Sequence, residues 1–600
     1  MSRAAVRVPL RPLSRILAAR RRGEDPAAIE RENLRRRHEQ MRDRTRRRAE
    51  GRLLALGALF VLAFFVVGLR MGMLAASDPQ EPRASAGGGS AIIAQRADIL
   101  DRNGRILATN LVTNALYAQP PLMVDKEAAA RELARIFPDL DEADLLKKFT
   151  SGRKFIWLKR RISPEQQQLV HDIGDPGLLF GPREMRLYPN GRLAAHVLGG
   201  AGFGREGVHA AEIVGVAGVE KTFDAYLRDP ARNGQPLQLS LDLTIQAAAE
   251  RVLAGGMKLF GARGAAAVLM DVRSGEILAL VSLPDFDPNS RPAPPVRGPA
   301  ADSPLFNRAL QGVYELGSVF KPLTIALALD SGLVRTDTMI DTGGPLRWGR
   351  FTIRDFRDYG DRLSVDKVVI KSSNIGTARI AQQIGAERLR GFFSRLGLLE
   401  PTPLELIEAP GARPLWPRKW SEISTMTVAY GHGIAVSPVH LAAAYATLVN
   451  GGTLVRPTLV RKEGPVAPGP RVLSPETSRR IAQILRRVVT EGTASLAEVP
   501  GYRVGGKTGT ADKPKERGGG YYEDRVIATF ASVFPVPDPR YVLVVTLDEP
   551  EDATGEEVRR TAGWTAVPVA AEMIRRIAPL LGLRPDVEQG APDRLTLTSN

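Results

Sequence analysis

Residues 53–69 read LLALGALFVLAFFVVGL, seventeen residues without a charge, directly behind a segment loaded with arginine. As a helix rising about 1.5 Å per residue, the run spans about 26 Å, just under the roughly 30 Å hydrocarbon core of a bilayer. Arg70 can extend its head toward the interface, and Met71–Ala76 adds apolar length. A core helix of a soluble protein would show a polar face within four turns, and this run shows none. Ala75-Ala76-Ser77 is small enough for a cleavage site, but 52 residues is far too long for the basic region of a signal peptide. Residues 53–76 are therefore expected to be an uncleaved membrane anchor. Residues 1–52 hold 17 Arg, no Lys and seven acidic residues, which is ten of the chain's net +17. The positive-inside tendency keeps such an arm in the cytoplasm and puts everything after residue 76 beyond the inner membrane. An Arg-rich arm could also bind nucleic acid. This one lacks interleaved aromatics, and the adjacent anchor accounts for its charge, so no nucleic-acid partner is expected.

Six hundred residues exceed one ordinary domain, and 44% hydrophobic with 25% charged residues is enough to bury more than one core. The absence of cysteine excludes disulfides, Cys-zinc sites, iron–sulfur clusters and a thiol nucleophile. The six histidines show no metal-ligand spacing, and no metal or cofactor is expected.

The remainder divides by texture. Residues 77–92 (SDPQEPRASAGGGSAI) read as a polar, glycine-rich linker. Residues 93–240 are irregular and strand-rich, with a turn at Asn103-Gly104 and short amphipathic helices over Glu127–Phe137 and Asp141–Phe149. Gly199-Gly200 and Gly202-Phe203-Gly204 have no apolar strand leading into a helix, so they read as loop glycines rather than a phosphate cradle. From residue 241 a capped helix precedes a strand–turn–strand about Arg273-Ser274-Gly275. Pro284–Pro304 then reads as a proline-rich surface loop, and helical text fills 306–448. Strands return at 503–510, 526–534 and 541–547 before a last helix over 567–581. Strands at both ends of a helical middle predict an α+β domain over 241–582, an antiparallel sheet with a helical subdomain. Residues 583–600 read as a disordered tail.

Three strings carry chemistry. Ser318-Val-Phe-Lys321 is S-x-x-K, Ser372-Ser-Asn374 is S-x-N, and Lys507-Thr-Gly509 is K-T-G followed by Thr510. S-x-x-K also occurs at Ser151/Lys154 and Ser364/Lys367. Ser364 lies eight residues before Ser372, too near to face it from a separate wall, and Ser151 precedes the strands of the second domain. Ser318 follows Gly317 and can open a helix, where the N-terminal field favours an anionic oxygen. Lys321 then shares its face and can take its proton, provided burial and nearby cations depress the lysine. Ser372 and Asn374, two apart, can point the same way, one as a proton relay and one to hold a peptide bond. Lys507, Thr508 and Thr510, with Gly509 between the hydroxyls, offer a cation and two hydroxyls to a carboxylate. The backbone N–H groups of Ser318 and Thr510 are candidates for an oxyanion hole.

The order and spacing of the three strings resemble a class B penicillin-binding protein, most like the septal, cell-division type. The resemblance runs from the anchor to about residue 580. It includes Arg96–Gly104, Arg186-Leu-Tyr-Pro189, Gly218-Val-Glu220, Asn307-Arg-Ala309, Tyr430-Gly-His-Gly433 and Asn450-Gly-Gly452. It implies a periplasmic pedestal of the dimerisation type over 93–240 and a D,D-transpeptidase domain over 241–582. The long Arg-rich arm, Glu315-Leu-Gly-Ser318 and the loop 512–524 are similar to the septal type. Leu316 stands where the family often has proline. The implied chemistry is acylation of Ser318 by a D-Ala-D-Ala stem, with Lys321 as base, then transfer to an amine of a neighbouring stem. β-Lactams would acylate the same serine. The implied partners are peptidoglycan stem peptides, a SEDS-type glycan polymerase in the membrane and other division proteins.

Other readings share parts of the pattern. An elongation-specific class B transpeptidase would carry the same strings. A membrane-bound β-lactamase or β-lactam sensor would not need the pedestal, and a β-lactamase would need a water-activating base that is not evident here. A non-catalytic division scaffold would not need intact motifs.

Overall fold

A computed structural model describes residues 12–23, 25–76, 96–206, 211–402, 404–515 and 519–586. The chain forms two compact units, one up to residue 88 and one from residue 89. In the first, the helix Leu13–Arg22 ends at left-handed Gly23, and a single helix then runs over Pro26–Ala76. Arm and anchor, expected as separate segments, are thus largely one helix of 51 residues, whose stretch Arg52–Arg70 is long and apolar enough to cross a membrane. The expected linker 77–92 lies outside the described residues.

The pedestal is built on a five-stranded sheet. Ile106–Ala118 is its longest strand and pairs antiparallel with Ile99–Leu100, Ile156–Ile162 and Leu178–Leu187. Leu237–Gln238 returns to pair parallel with Ile99–Leu100. The helices Lys126–Ile136 and Glu142–Thr150 match their amphipathic patterns, with Asp125 and Asp141 capping their N-termini. They bury Leu133, Leu145 and Phe149 against Leu116 and Ile156.

One expectation is overturned. Gly199 does lie in a connection, but Gly200, Gly202 and Gly204 do not: Gly200–Glu206 is a strand, paired antiparallel with Ala211–Ala217. Glycine has little strand propensity, so pairing supplies what local sequence does not. Glycine is also required opposite, because a Cβ on Gly215 would lie 1.9 Å from the Glu220 carbonyl oxygen.

The second domain begins with helix α1 (Leu243–Leu259), capped by Asp242 through Thr244 N and Ile245 N. Its sheet holds β1 (Gly264–Asp271), β2 (Ile277–Leu283), β3 (Gly505–Pro514), β4 (Tyr521–Phe534) and β5 (Tyr541–Asp548). The order is β3-β4-β5-β1-β2, antiparallel throughout. The loop expected over 512–524 is shorter than read, because Pro514 still pairs with Tyr521. Between β2 and β3 lie helix α2 (Lys321–Asp330), a hairpin of Leu346–Trp348 with Phe351–Ile353, helix α3 (Asn374–Ile384) and further helices. The closing helix α4 (Ala566–Leu580) packs across the sheet beside α1. Of the tail expected over 583–600, residues 583–586 are ordered and the rest lie outside the described residues. Leu583 packs on the core, and Asp586 N bonds Gly501 O while its carboxylate pairs with Arg503 at 2.7 Å.

Pedestal and second domain share one core. Ile99 and Leu107 belong to the same buried cluster as Val268 and Leu323. Arg96 anchors the pedestal end of the joint, paired within the interior to Glu220 at 2.6 Å and Asp224 at 2.7 Å.

Candidate active site

Gly317–Phe320 forms one 3₁₀ turn that runs straight into α2. Gly317 adopts φ +63, so a side chain there would be strained. Two further glycines let the turn approach its neighbours. A Cβ on Gly509 of β3 would lie 2.0 Å from Leu316 O, and one on Gly431 would lie 2.0 Å from Gly317 O. The turn is thus gripped between β3 and the 430–433 loop. Tyr445 OH donates to Val319 O at 2.7 Å and Thr324 Oγ1 to Ala429 O at 2.7 Å. Ser318 is half-buried at the start of this turn, and Lys321, one turn on, is fully buried.

The lysine does not reach for Ser318. Its Nζ donates to Ser372 O at 2.5 Å and Ser372 Oγ at 3.1 Å. Lys507, at the sheet end of β3, donates to the same Oγ at 2.9 Å and to Thr508 O at 3.0 Å. Burial, then the charge of Lys507, pushes Lys321 well below the ordinary lysine range, while Asp355 opposes the shift. Burial pushes Lys507 down to about 7. Ser372 adopts φ +67, a left-handed backbone that costs a non-glycine residue about 1 kcal/mol or more. Both lysines hold it there.

Ser373 caps α3, and Asn374 is its first residue. Asn374 Nδ2 donates to Arg354 O at 2.9 Å, so one of its two amide N–H groups is already engaged. The two threonine hydroxyls of the K-T-G-T string, expected to face a carboxylate, also have protein partners. Thr508 Oγ1 pairs with Thr493 Oγ1 at 2.7 Å, and Thr510 Oγ1 accepts from Ala562 N at 3.0 Å. Thr510 keeps its own hydroxyl proton to donate. Its backbone lies on the edge strand against the Ser318 turn, with Thr510 O 2.9 Å from where a Gly317 Cβ would stand. The alternative strings are elsewhere: Ser151 is exposed after a pedestal helix, and Ser364 precedes the helix Val365–Ile370 with its hydroxyl bound to Asp366.

Sequence reasoning missed three participants. Asp355 accepts from Ser373 Oγ at 2.6 Å, from Ile375 N at 3.0 Å and from Asn374 N, and so fixes the S-x-N segment from the hairpin side. Thr493 orients Thr508. Glu315, beside the Ser318 turn, accepts from Tyr521 OH at 2.9 Å and pairs with His432 Nδ1 at 3.1 Å. That last pair lies within strings already noted, Glu315-Leu-Gly-Ser318 and Tyr430-Gly-His-Gly433, but nothing local links them.

A serine beside a buried helix, two depressed lysines meeting at a second serine and a K-T-G edge strand supply what serine acyl transfer needs: a nucleophile, a base and a cation. Comparison with known proteins gives the family. The penicillin binding protein transpeptidase domain family matches residues 265–572, and the penicillin-binding protein dimerisation domain family matches 91–235. The chain is 38% identical over 518 residues to a probable peptidoglycan D,D-transpeptidase FtsI of Caulobacter vibrioides, covering 84% of this chain and 85% of that one. It is 30% identical to the peptidoglycan D,D-transpeptidase FtsI of Escherichia coli K12, covering 82% and 84%. Among solved structures, penicillin binding protein 3 of Mycobacterium tuberculosis complexed with aztreonam superposes with TM-score 0.62 at 25% identity, over 82% of this chain and 98% of that one. The chain belongs to the penicillin-binding proteins that join a dimerisation domain to a transpeptidase domain.

Proposed function

We propose that this chain is a peptidoglycan D,D-transpeptidase of the division septum, acting through an acyl-enzyme on Ser318. The observation that carries the reading is the meeting of Lys321, one turn on from Ser318, and Lys507 at Ser372. The relatives named as D,D-transpeptidases of the FtsI type support the substrate and the septal role.

Ser318 Oγ attacks the penultimate D-Ala carbonyl of a stem peptide and passes its proton to Lys321, which burial keeps ready to be neutral. The backbone amides of Ser318 and Thr510 receive the oxyanion. The carbon–nitrogen bond breaks, and the leaving D-Ala amine takes its proton through Ser372. An amine of a second stem then attacks the ester. It gives its proton back along Ser372 and Lys321 to Ser318 Oγ, and a new amide forms. Lys507 in its charged form, with the Thr510 hydroxyl, holds the terminal carboxylate; Thr508 and Gly509 shape that strand. Asn374 orients the peptide bond. β-Lactams enter by the same attack on Ser318.

Residues 53–76 anchor the chain, the Arg-rich arm faces the cytoplasm and the catalytic domain faces the periplasm. The anchor is proposed to meet a SEDS-type polymerase and, through the pedestal, other division proteins. Loss of division on replacing 53–76 with an unrelated spanning helix supports that contact, and normal division refutes it. The reaction itself is tested by intact mass of the full chain with a penicillin over hours. A lasting adduct mapped to Ser318 supports the reading, steady drug hydrolysis indicates a β-lactamase, and no adduct removes it.

A further inference from the structure

We propose that the exposed tip of the 346–353 hairpin, with residues 354–357 behind it, is a docking surface for an anionic glycopeptide strand. The choice of polymer, uncross-linked peptidoglycan, rests on the transpeptidase reading above.

The hairpin has a buried base and an exposed tip. Leu346 and Ile353 turn inward and pack on Ile375 and Ala378 of α3 and on Met426. Strand alternation sends Arg347 and its partner Thr352 to the opposite side. Trp348 and Phe351 pair at the tip on the same side as Leu346 and Ile353 yet stay 38% and 45% exposed, and Phe356 just beyond is 79% exposed. Aromatic rings held in water beside an organised site mark a contact surface. Arg347, Arg350, Arg354, Arg357 and Arg362 are all exposed on the same segment. Among the described residues none of these five pairs with a carboxylate; the exposed Asp358 and Asp361 share the segment, but two other nearby acids are occupied. Asp341 pairs with Arg379 at 3.1 Å, and Asp355 is bound to the start of α3.

Unpaired guanidinium groups interleaved with exposed rings fit a ligand with carboxylates spaced along sugar rings. The guanidinium groups take carboxylates in two-point hydrogen bonds, and the rings stack on the apolar faces of saccharides. Uncross-linked peptidoglycan has that chemistry, since its stem peptides carry free carboxylates. The surface also leads into the site. The chain passes from the hairpin through Arg354, whose carbonyl holds Asn374, and Asp355, which holds Ser373. A strand lying along the hairpin would deliver its stems beside Asn374. An anionic lipid surface would also attract arginine and tryptophan, and the test separates the two.

Soluble, fluorescently labelled uncross-linked strands are titrated into the full chain in neutral detergent. The variant Arg347→Ala/Arg350→Ala/Arg357→Ala is expected to bind about tenfold more weakly, three exposed pairs contributing severalfold or less each. Its rate of acylation by penicillin should match the parent's. Lysine at the same three positions should restore much of the binding, and strands with amidated carboxyls should bind the parent as weakly as they bind the variant. Phe356→Ser should weaken binding severalfold without changing its salt dependence. Equal strand binding by parent and triple variant overturns the proposal, as does a loss seen only with anionic-lipid bicelles. A parent that binds strands but takes no penicillin overturns the transpeptidase reading and leaves the surface standing.

Discussion

The Nζ of Lys507 stands 2.9 Å from the Oγ of Ser372, and the Nζ of Lys321 stands 3.1 Å from the same oxygen. One hydroxyl therefore bridges two fully buried amines. Two ammonium groups that near to each other in the interior repel, and each favours a neutral partner. The pair is suited to a division of labour: one lysine neutral and basic, one charged and carboxylate-binding, with Ser372 passing protons beside them. Ser318 is placed by the turn, not by a bond to either lysine.

If Ser318 is the nucleophile, Ser318→Ala abolishes acylation by penicillin, whereas Ser364→Ala and Ser151→Ala keep the parent rate. Intact mass after incubation with the drug checks all three. An adduct on the first variant removes the assignment.

The lysines set a pH profile. Acylation needs neutral Lys321 and charged Lys507, so its rate rises with pH through the depressed Lys321 value and falls as Lys507 discharges near about 7. Lys507→Arg keeps its charge, so the alkaline limb is expected to move up by about two pH units or more. A limb unmoved by that change would assign it to another group. Folding responds in a fixed direction too. Lys507 binds its proton less readily when folded, so its contribution to stability grows as pH rises from about 7 toward the ordinary lysine value of 10.5 and is lost below. Lys507→Met should remove that slope from melting curves taken across the window.

Gly509 and Gly431 fix where Ser318 sits. Gly509→Ala puts a methyl 2.0 Å from Leu316 O, and Gly431→Ala puts one 2.0 Å from Gly317 O; both contacts are with backbone that cannot turn aside. Each should cost about 1–3 kcal/mol of stability and lower acylation by about a hundredfold, since a shift of about 1 Å at a nucleophile is that expensive. Gly255→Ala inside α1, where a Cβ meets nothing within 4 Å, is the control and should raise stability by about 0.5–1 kcal/mol. Thermal melts and acylation rates on the three variants decide it.

Asp355 ties the hairpin to the S-x-N segment through Ser373, Asn374 and Ile375. Asp355→Asn loses a charged acceptor at a helix N-terminus, worth about 1–2 kcal/mol, or a few degrees of melting temperature in a domain this size. Its charge also opposes the depression of Lys321, so removing it should shift the acidic limb of the acylation profile to lower pH. A destabilised variant whose limb stays in place would leave Asp355 a purely structural cap.

What the sequence disclosed was local. The two amphipathic pedestal helices and the start of the capped helix α1 came out within two residues of their observed bounds, and the sheet strands within a few residues of their observed ends. The three strings were legible because each places its groups within four residues, where backbone period alone decides direction. Contacts without a period were not legible. Asp355 meets Ser373 across 18 residues, and Glu315 meets His432 across more than a hundred. The left-handed backbone of Ser372 has no residue signal, since serine is not the type that favours it. Gly200–Glu206 became a strand through its partner rather than its own preference.

The joint between pedestal and catalytic domain carries its own titration. Glu250 on α1 is pushed up to about 8 by burial first and then by a hydrogen bond and repulsion from Asp285, while the Ala194 backbone N–H in the pedestal favours its charge. Arg192, also of the pedestal, pairs with Asp285 at 3.1 Å. A carboxyl with a raised folded value binds more protons when folded than when unfolded between about pH 4.5 and 8. Its contribution to stability is therefore full below that window and lost as pH climbs through it. Glu250→Gln keeps the shape and the neutral state. Parent and variant should melt together near pH 5, and the variant should melt higher by pH 8.5, with hydrogen exchange in residues 194–198 slowed to match. Using the difference between the two chains cancels every other titrating group. A difference that stays flat from pH 5 to 8.5 would mean the two carboxyls do not share a proton and that the joint is insensitive to pH in this range.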